Sequence, residues 1–147
     1  MKYWKVLFWI ATIFVASCKT APPPAAPVLQ GEARHLVDPR LGWKGPASEA
    51  IDRRFEAAWR FVLAGDSENA RKRLADVLAR DPGYAPATLA EAAINLQEGH
   101  AEAARTIVDR LTSRYPQYTA VQIYEAEIDV VQNRIRSAYD RYGEIIQ

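Results

Sequence analysis

The chain has little of what most enzymes and metal proteins need. Among its 147 residues there is one cysteine, Cys18, and there are two histidines, His35 and His100. A single cysteine cannot form an internal disulfide, and neither histidine has the ligand spacing that a zinc site requires. The sequence also lacks a glycine-rich phosphate loop and a G-x-S-x-G frame around any serine. We therefore predict no metal site, no cofactor and no enzymatic activity.

An excess of charge of one sign is missing as well. The 19 basic and 18 acidic residues nearly cancel, and without Lys2 and Lys5 the balance is one negative charge. Proteins that bind nucleic acid usually carry a strongly basic face. The short basic run at 71–73 is typical of an ordinary solvated helix face, so we expect no nucleic-acid partner.

Long hydrophobic runs are absent. The longest, Val6 to Ala16, follows Lys2 and Lys5 and falls well short of the roughly 20 apolar residues of a spanning helix. A short positive segment before a short apolar run is typical of a secretory signal. We predict a cleaved signal peptide over residues 1–17. An uncleaved anchor beginning at Tyr3 is the alternative.

The cysteine lies directly after this run. The stretch Val15-Ala16-Ser17-Cys18 resembles the lipobox of bacterial lipoproteins. The resemblance implies that the Cys18 thiol receives diacylglycerol, that cleavage makes Cys18 the first residue, and that its amino group is often acylated too. Two or three acyl chains together anchor a protein stably in a lipid bilayer. An accidental or buried cysteine is the alternative.

The residue after the cysteine bears on location. In many Gram-negative lipoproteins an Asp at this position retains the protein in the inner membrane, whereas here the residue is Lys19. The resemblance therefore implies an outer-membrane anchor with the domain in the periplasm. Inner-membrane anchoring and cell-surface exposure stay open.

Residues 18–47 form the predicted linker. Four prolines near its start prevent a helix or a sheet there, because proline lacks a backbone N–H and has a fixed φ. The second half is unusually apolar, so two interpretations stay open: it docks on the following domain, or it is a loose tether. The prolines and the apolar residues in question are Pro22, Pro23, Pro24, Pro27, Leu36, Val37, Leu41 and Trp43.

The remainder, residues 48–147, contains an internal repeat. Gly65, Ala70, Pro82 and Tyr84 recur at one constant offset as Gly99, Ala104, Pro116 and Tyr118, and a third copy continues with Asn133 and Ala138. Asn replaces Gly most readily where a turn needs left-handed backbone geometry. The offset, with a turn glycine, a small alanine and a later proline, resembles the tetratricopeptide repeat, whose period is about 34 residues.

The resemblance implies an all-α fold, an α-solenoid of three helical hairpins. The expected helices cover residues 49–64, 67–80, 86–98, 101–113, 120–132 and 135–146. The first helices of the second and third units carry polar residues at helical spacing, which predicts one solvent-exposed face; an acidic binding strip is the alternative. These polar positions are Thr88, Glu91, Asn95, Glu98, Gln122, Glu125, Asp129 and Gln132.

Solenoids of this kind bind peptides on the concave surface formed by their first helices. Mapping the family's groove onto this chain gives nine mainly apolar candidates: Phe55, Trp59, Val62, Leu89, Ala93, Leu96, Ile123, Glu127 and Val130. Each of them could instead serve only to pack the solenoid. The resemblance implies an adaptor or assembly factor that binds other envelope proteins. A self-associating structural subunit and an accessory subunit of an envelope enzyme are the alternatives.

The last helix predicts a further interface. Members of the family commonly add a polar helix after the last repeat, and the given sequence has none after its third hairpin. We expect Tyr142, Ile145 and Ile146 to meet a second copy, giving a homo-oligomer, or a partner's helix. The alternative is that all three turn inward against residues 120–132.

Overall fold

A computed structural model describes residues 36–146. The predicted signal peptide, Cys18 and the proline tract lie outside this range. Six helices form three hairpins, with no strand among the described residues, so the predicted fold class is confirmed: α1 Glu49–Leu63, α2 Ser67–Arg80, α3 Ala85–Gln97, α4 Ala101–Arg114, α5 Thr119–Val131 and α6 Ile135–Ile145. Every bound lies within one residue of the expected one. None of these six helices is long and apolar enough to span a bilayer.

The three hairpin turns share one geometry. Gly65, Gly99 and Asn133 have φ values of 72°, 78° and 58°. In the first turn the N–H of Gly65 bonds to the carbonyl of Val62 at 3.0 Å, and that of Asp66 to Phe61 at 2.9 Å. This pair of bonds is a Schellman motif, and both bonds recur at the equivalent positions of the second and third turns. The expectation that Asn133 takes the place of glycine is confirmed.

Small residues let the two helices of each hairpin approach closely. Six alanines, three in the first helices and three in the second, are almost fully buried at equivalent positions of the three units: Ala58, Ala92, Ala126, Ala70, Ala104 and Ala138. A larger side chain at these positions would force the helices apart. The repeated alanines in the sequence therefore mark the same close contact between two helices in each hairpin.

The segment before α1, residues 36–43, forms a compact structure that we call the strap. Asp38, Pro39, Arg40 and Leu41 make a turn in which the Leu41 N–H bonds to the Asp38 carbonyl at 3.0 Å. The Asp38 side chain accepts a second bond from the Arg40 N–H at 2.9 Å. Asp before Pro is the preferred start of such a turn. The shape of the strap is thus encoded locally.

A second turn follows within the strap. The Trp43 N–H bonds to the Arg40 carbonyl at 3.0 Å, and Gly42 between them has a φ of 76°. Glycine takes this left-handed geometry without steric cost. The two turns place the carbonyls and side chains of the strap for contact with the repeats.

Candidate functional site

The strap lies along α5 in the opposite direction. Three alternate carbonyls, those of Val37, Pro39 and Leu41, accept hydrogen bonds from the repeats. The Tyr124 hydroxyl donates to Val37 at 2.9 Å, the Tyr118 hydroxyl donates to Pro39, and the Ala120 N–H donates to Leu41 at 3.0 Å. This segment of the linker is therefore docked on the repeats and is not a loose tether.

The repeat explains why Tyr118 contacts the strap. One unit earlier, the Tyr84 hydroxyl donates to the carboxylate of Asp52 in α1 at 2.6 Å. The residue equivalent to Asp52 in the next unit is Pro86, whose side chain accepts no hydrogen bond. The carbonyl of Pro39 provides the acceptor for Tyr118 instead. Burial raises the pKa of Tyr118 and Tyr124 well above the ordinary range, so both hydroxyls remain donors.

Arg40 links the strap to α1. Its Nη1 lies 3.0 Å from Glu56 Oε2, and its guanidinium carbon lies 5.5 Å from the centre of the Phe55 ring. Its Nη2 also contacts Asp38 Oδ2 at 2.6 Å. Burial alone would raise the pKa of Asp38, but the hydrogen bonds from Arg40 hold it below its usual value. The strap therefore bridges the first helices of units one and three.

Trp43 ends the strap in a cluster of tyrosines. Its ring centre lies 5.0 Å from that of Tyr115, 5.3 Å from Tyr118 and 6.4 Å from Tyr84, with edge-to-face or tilted geometry. Such aromatic pairs contribute about 0.5–1.5 kcal/mol each beyond area burial. The cluster fixes the C-terminal end of the strap where units two and three meet.

The structure divides the nine groove candidates into three sets. Phe55, Trp59, Val62, Leu89 and Ala93 are buried, and Phe55 lies beneath Arg40. Leu96, Ile123 and Glu127 line a cavity of about 170 Å³ beside Leu36 and Val37. Val130 is exposed. Only the second set is therefore placed to touch a bound segment beside the strap.

The predicted solvent-exposed face of the first helices is wrong in the third unit. Asp129 is 2% exposed and Glu125 is buried. Asp129 accepts from Arg105 at 2.5 Å, from Arg134 at 2.6 Å and from Arg141 at 2.9 Å. Glu125 accepts from Thr112 at 2.6 Å and from Arg141 at 2.8 Å. These carboxylates can be buried because Arg105, Arg134 and Arg141 neutralise them.

The same contact joins units one and two. Arg71 of α2 lies 3.5 Å from Asn95 of α3 and 2.5 Å from Glu98, which directly follows α3. Arg105, the equivalent residue of the next unit, contacts Asp129 and, at 3.3 Å, Gln132. Four of the eight polar positions thus receive an arginine from the preceding hairpin: Asn95, Glu98, Asp129 and Gln132.

At the corresponding position of the third unit the arginine is replaced by Tyr139, which is 76% exposed. Of the three predicted interface residues, Ile146 is 84% exposed, whereas Tyr142 and Ile145 are half-buried. The Tyr142 hydroxyl donates to Glu127 of α5. The exposed residues on α6 thus include Tyr139, which the sequence reasoning missed although its offset from Arg71 and Arg105 is visible in the sequence.

The residues that hold the strap carry little signal in the sequence. Tyr84 and Tyr118 were visible as marks of the repeat, but nothing local to Tyr118 indicates that its partner is the carbonyl of residue 39. Glu56 and Tyr124 carried no signal of their own. Within residues 36–146, no group of three or more histidine, cysteine or acidic residues is arranged to hold a metal ion.

Gly42 provides a test of strap docking. A Cβ on Gly42 would lie 2.5 Å from the Thr119 hydroxyl oxygen of α5 and 3.0 Å from the Thr119 nitrogen. Gly42→Ala combines this clash with a left-handed backbone cost of about 1–2 kcal/mol. We expect a loss of roughly 2–3 kcal/mol in urea unfolding, since overpacking alone costs about 1–3 kcal/mol.

Gly65→Ala is the matched control. Gly65 has a similar φ of 72°, but a Cβ there would meet nothing within 4 Å. It should cost only the backbone term, about 1–2 kcal/mol. Equal losses in the two variants would contradict the close contact between the strap and α5.

A protein-family model described as tetratricopeptide repeat matches residues 61–143, which is more than half of the chain. No curated protein and no solved structure matches the chain.

Proposed function

The chain belongs to the tetratricopeptide repeat family, and on that premise we propose that it is a membrane-anchored adaptor that binds other proteins of the bacterial cell envelope. Repeats of this family generally mediate contacts between proteins and are generally not catalytic. We assign no catalytic step to this chain.

The observation that carries the binding proposal is the occupied groove. The repeats hold the irregular chain of the strap through three main-chain carbonyls, an arginine and a tryptophan ring. Main-chain hydrogen bonds combined with side-chain pockets are how peptide-binding surfaces obtain affinity and specificity. This surface therefore supports binding of a segment from another protein.

The membrane part of the proposal rests on the lipobox. Val15-Ala16-Ser17-Cys18 follows a short apolar run, and Lys19 stands after the cysteine. We propose that Cys18 carries the acyl chains and that they hold the domain at the periplasmic face of the outer membrane. The proline-rich tract separates Cys18 from the strap, so the anchor leaves room for the solenoid to meet partners.

Cys18→Ala tests the anchor. Because the thiol is the acceptor of the lipid, the variant should incorporate no clickable fatty acid and should accumulate as an unprocessed precursor. His100→Ala, an exposed change in a hairpin turn, is the control and should be labelled and processed like the wild type. If the wild-type protein takes up no label and is still found in the membrane fraction, the result would instead support an uncleaved anchor.

Crosslinking in intact cells followed by mass spectrometry tests the adaptor. We expect crosslinks from the strap and the groove to other envelope proteins. Crosslinks only between copies of this chain would contradict the adaptor and favour a structural subunit.

A second candidate function, a self-associating structural subunit, is favoured by one observation. Ile135 and Tyr139 of α6 and Ile146 at its C-terminal end are exposed and recur at helical spacing, which places them on one face. Contiguous exposed apolar surface usually marks an interface. Size-exclusion chromatography with light scattering should then give an assembly that Tyr139→Asp dissociates, while Arg136→Asp, an exposed change on the same helix, leaves it intact.

A further inference from the structure

We propose that the strap is an exchangeable ligand of the groove, and that the groove's partner is a protein segment with the strap's chemistry. That segment is a proline-containing double turn with an arginine for Glu56 and an aromatic ring for the tyrosine cluster. This inference rests on the proposed binding function and names the kind of partner.

The hydrogen bonds between the groove and the strap favour exchange. Those that involve the strap main chain are all accepted by its carbonyls, from Tyr124, Tyr118 and the Ala120 N–H. The N–H groups of Arg40, Leu41 and Trp43 bond within the strap. Every polypeptide offers such carbonyls, so these bonds set affinity and position without requiring this particular sequence.

Specificity comes from two side chains at the ends of the turns. Arg40 lies between Glu56 and the Phe55 ring, and a charge-assisted hydrogen bond of this kind is stronger than a neutral one. Trp43 fills the space between three tyrosine rings. A competing segment needs a cation and a ring at the same spacing.

The strap can be imitated because both of its turns are closed by hydrogen bonds within the strap. Asp38, Pro39 and Gly42 encode two turns by local hydrogen bonds and by backbone preference. A segment that is already in its bound shape loses little conformational entropy on binding. The same pattern of turns in a partner protein would enter the groove preorganised.

The strap leaves parts of the groove unused. A cavity of about 170 Å³ lies beside Leu36 and Val37, lined by Leu96, Ile123 and Glu127. Leu41 is 48% exposed. The indole Nε1 of Trp43 is buried without a hydrogen-bond partner among the described residues. A partner segment with a larger apolar residue at the cavity, or an acceptor for a ring N–H, would bind better than the strap.

Exchange must overcome the advantage of a ligand on the same chain. A tethered segment acts at an effective concentration in the millimolar range. The apparent association constant of an external segment is therefore its intrinsic value multiplied by the fraction of molecules whose groove is free. Weakening the strap while leaving the groove intact should raise the apparent affinity by the same factor.

The test is a titration of a fluorescein-labelled peptide, HLVDPRLGWKGP, which has the sequence of residues 35–46. Fluorescence anisotropy follows its binding to the full wild-type chain and to the Gly42→Ala chain, in which the clash with Thr119 loosens the strap. We expect the Gly42→Ala chain to bind at least tenfold more tightly. The Gly65→Ala chain, in which the left-handed position lies away from the strap, should behave like the wild type.

A charge exchange tests specificity. A peptide with Arg40→Glu should bind the Gly42→Ala chain at least tenfold more weakly, and adding Glu56→Arg to that chain should restore its binding. Absence of saturable binding to a Gly42→Ala chain with wild-type helical circular dichroism would overturn the proposal, and so would equal affinity for the wild-type chain. If Gly42→Ala lowers the helical signal, the Trp43→Ala chain is used instead. It should also bind the peptide at least tenfold more tightly than the wild type, and equal affinity or no saturable binding would overturn the proposal.

This titration separates the two proposals because it needs neither a membrane nor a natural partner. Peptide exchange without foreign crosslinks in cells would remove the adaptor and keep the exchangeable strap. Crosslinks to other proteins without peptide exchange would keep the adaptor and remove the exchangeable strap.

Discussion

Asp129→Ala should cost about 3 kcal/mol of the free energy of unfolding, measured by urea denaturation of the full chain. Asp129 is the acceptor for Arg105 of α4, for Arg134 directly before α6 and for Arg141 of α6, and its side chain is almost inaccessible to water. Removing one member of a buried ion pair typically costs about 3–5 kcal/mol, because the remaining charge stays buried. We expect the lower end, because the Arg134 and Arg141 side chains are 47% and 40% exposed and can turn to water.

Arg105 accounts for most of the expected loss. Its side chain is only 16% exposed, and without Asp129 its Nη2 keeps a single contact, at 3.3 Å, to Gln132. Asp140→Ala is the matched control, since within residues 36–146 Asp140 forms an ion pair only with the 90% exposed Arg136, at 3.3 Å. A surface pair of this kind contributes less than about 1 kcal/mol. Similar losses in the two variants would contradict a buried network.

The effect of Asp129 should also depend on pH. Burial alone would raise its pKa, but hydrogen bonds from Arg134, Arg105 and Arg141 outweigh burial and lower it. A carboxyl group with a lowered native pKa stabilises the fold above its unfolded pKa of about 3.9 and loses that contribution as the pH falls through the native value. The difference between wild type and Asp129→Ala should therefore be constant from about pH 6 to 8 and shrink below about pH 4.

The sequence predicts most of the helices because their signals are local and repeated. Gly65, Gly99 and Asn133 mark three turns that depend on a single backbone geometry. Pro82 and Pro116 mark the ends of two hairpins. The buried alanines follow at a fixed offset. A feature that recurs three times at one spacing is visible in one chain without any relative.

The network around Asp129 was not predictable by the same reasoning. Its carboxylate lies on a helical face that looks polar in the sequence, and polar faces are usually solvated. What decides its burial is the meeting of Arg105 and Arg141 from two other helices. Arg71 and Arg105 are one repeat apart in the sequence, but this spacing does not show that both arginines reach the next hairpin.

The docking position of the strap was also not predictable from the sequence. Its turns are predictable from Asp38, Pro39 and Gly42, yet its place in the groove depends on contacts 79 and 87 residues away along the chain. Such contacts have no period and no local signature. An apolar linker before a solenoid therefore indicates that docking can occur, and only the arrangement of the tyrosines decides where.

Ala104→Trp should cost about 3 kcal/mol, also in urea denaturation, because Ala104 is fully buried where α4 meets its hairpin partner. Overpacking costs about 1–3 kcal/mol, and the indole ring is the largest addition available. Ala103→Trp is the matched control, because Ala103 is the adjacent residue on the same helix and is exposed. It should change the stability by less than about 0.5 kcal/mol. Equal stability of the two variants would mean that the alanine repeat does not mark the contact between helices, and the physical basis assigned to the period of the sequence would then be wrong.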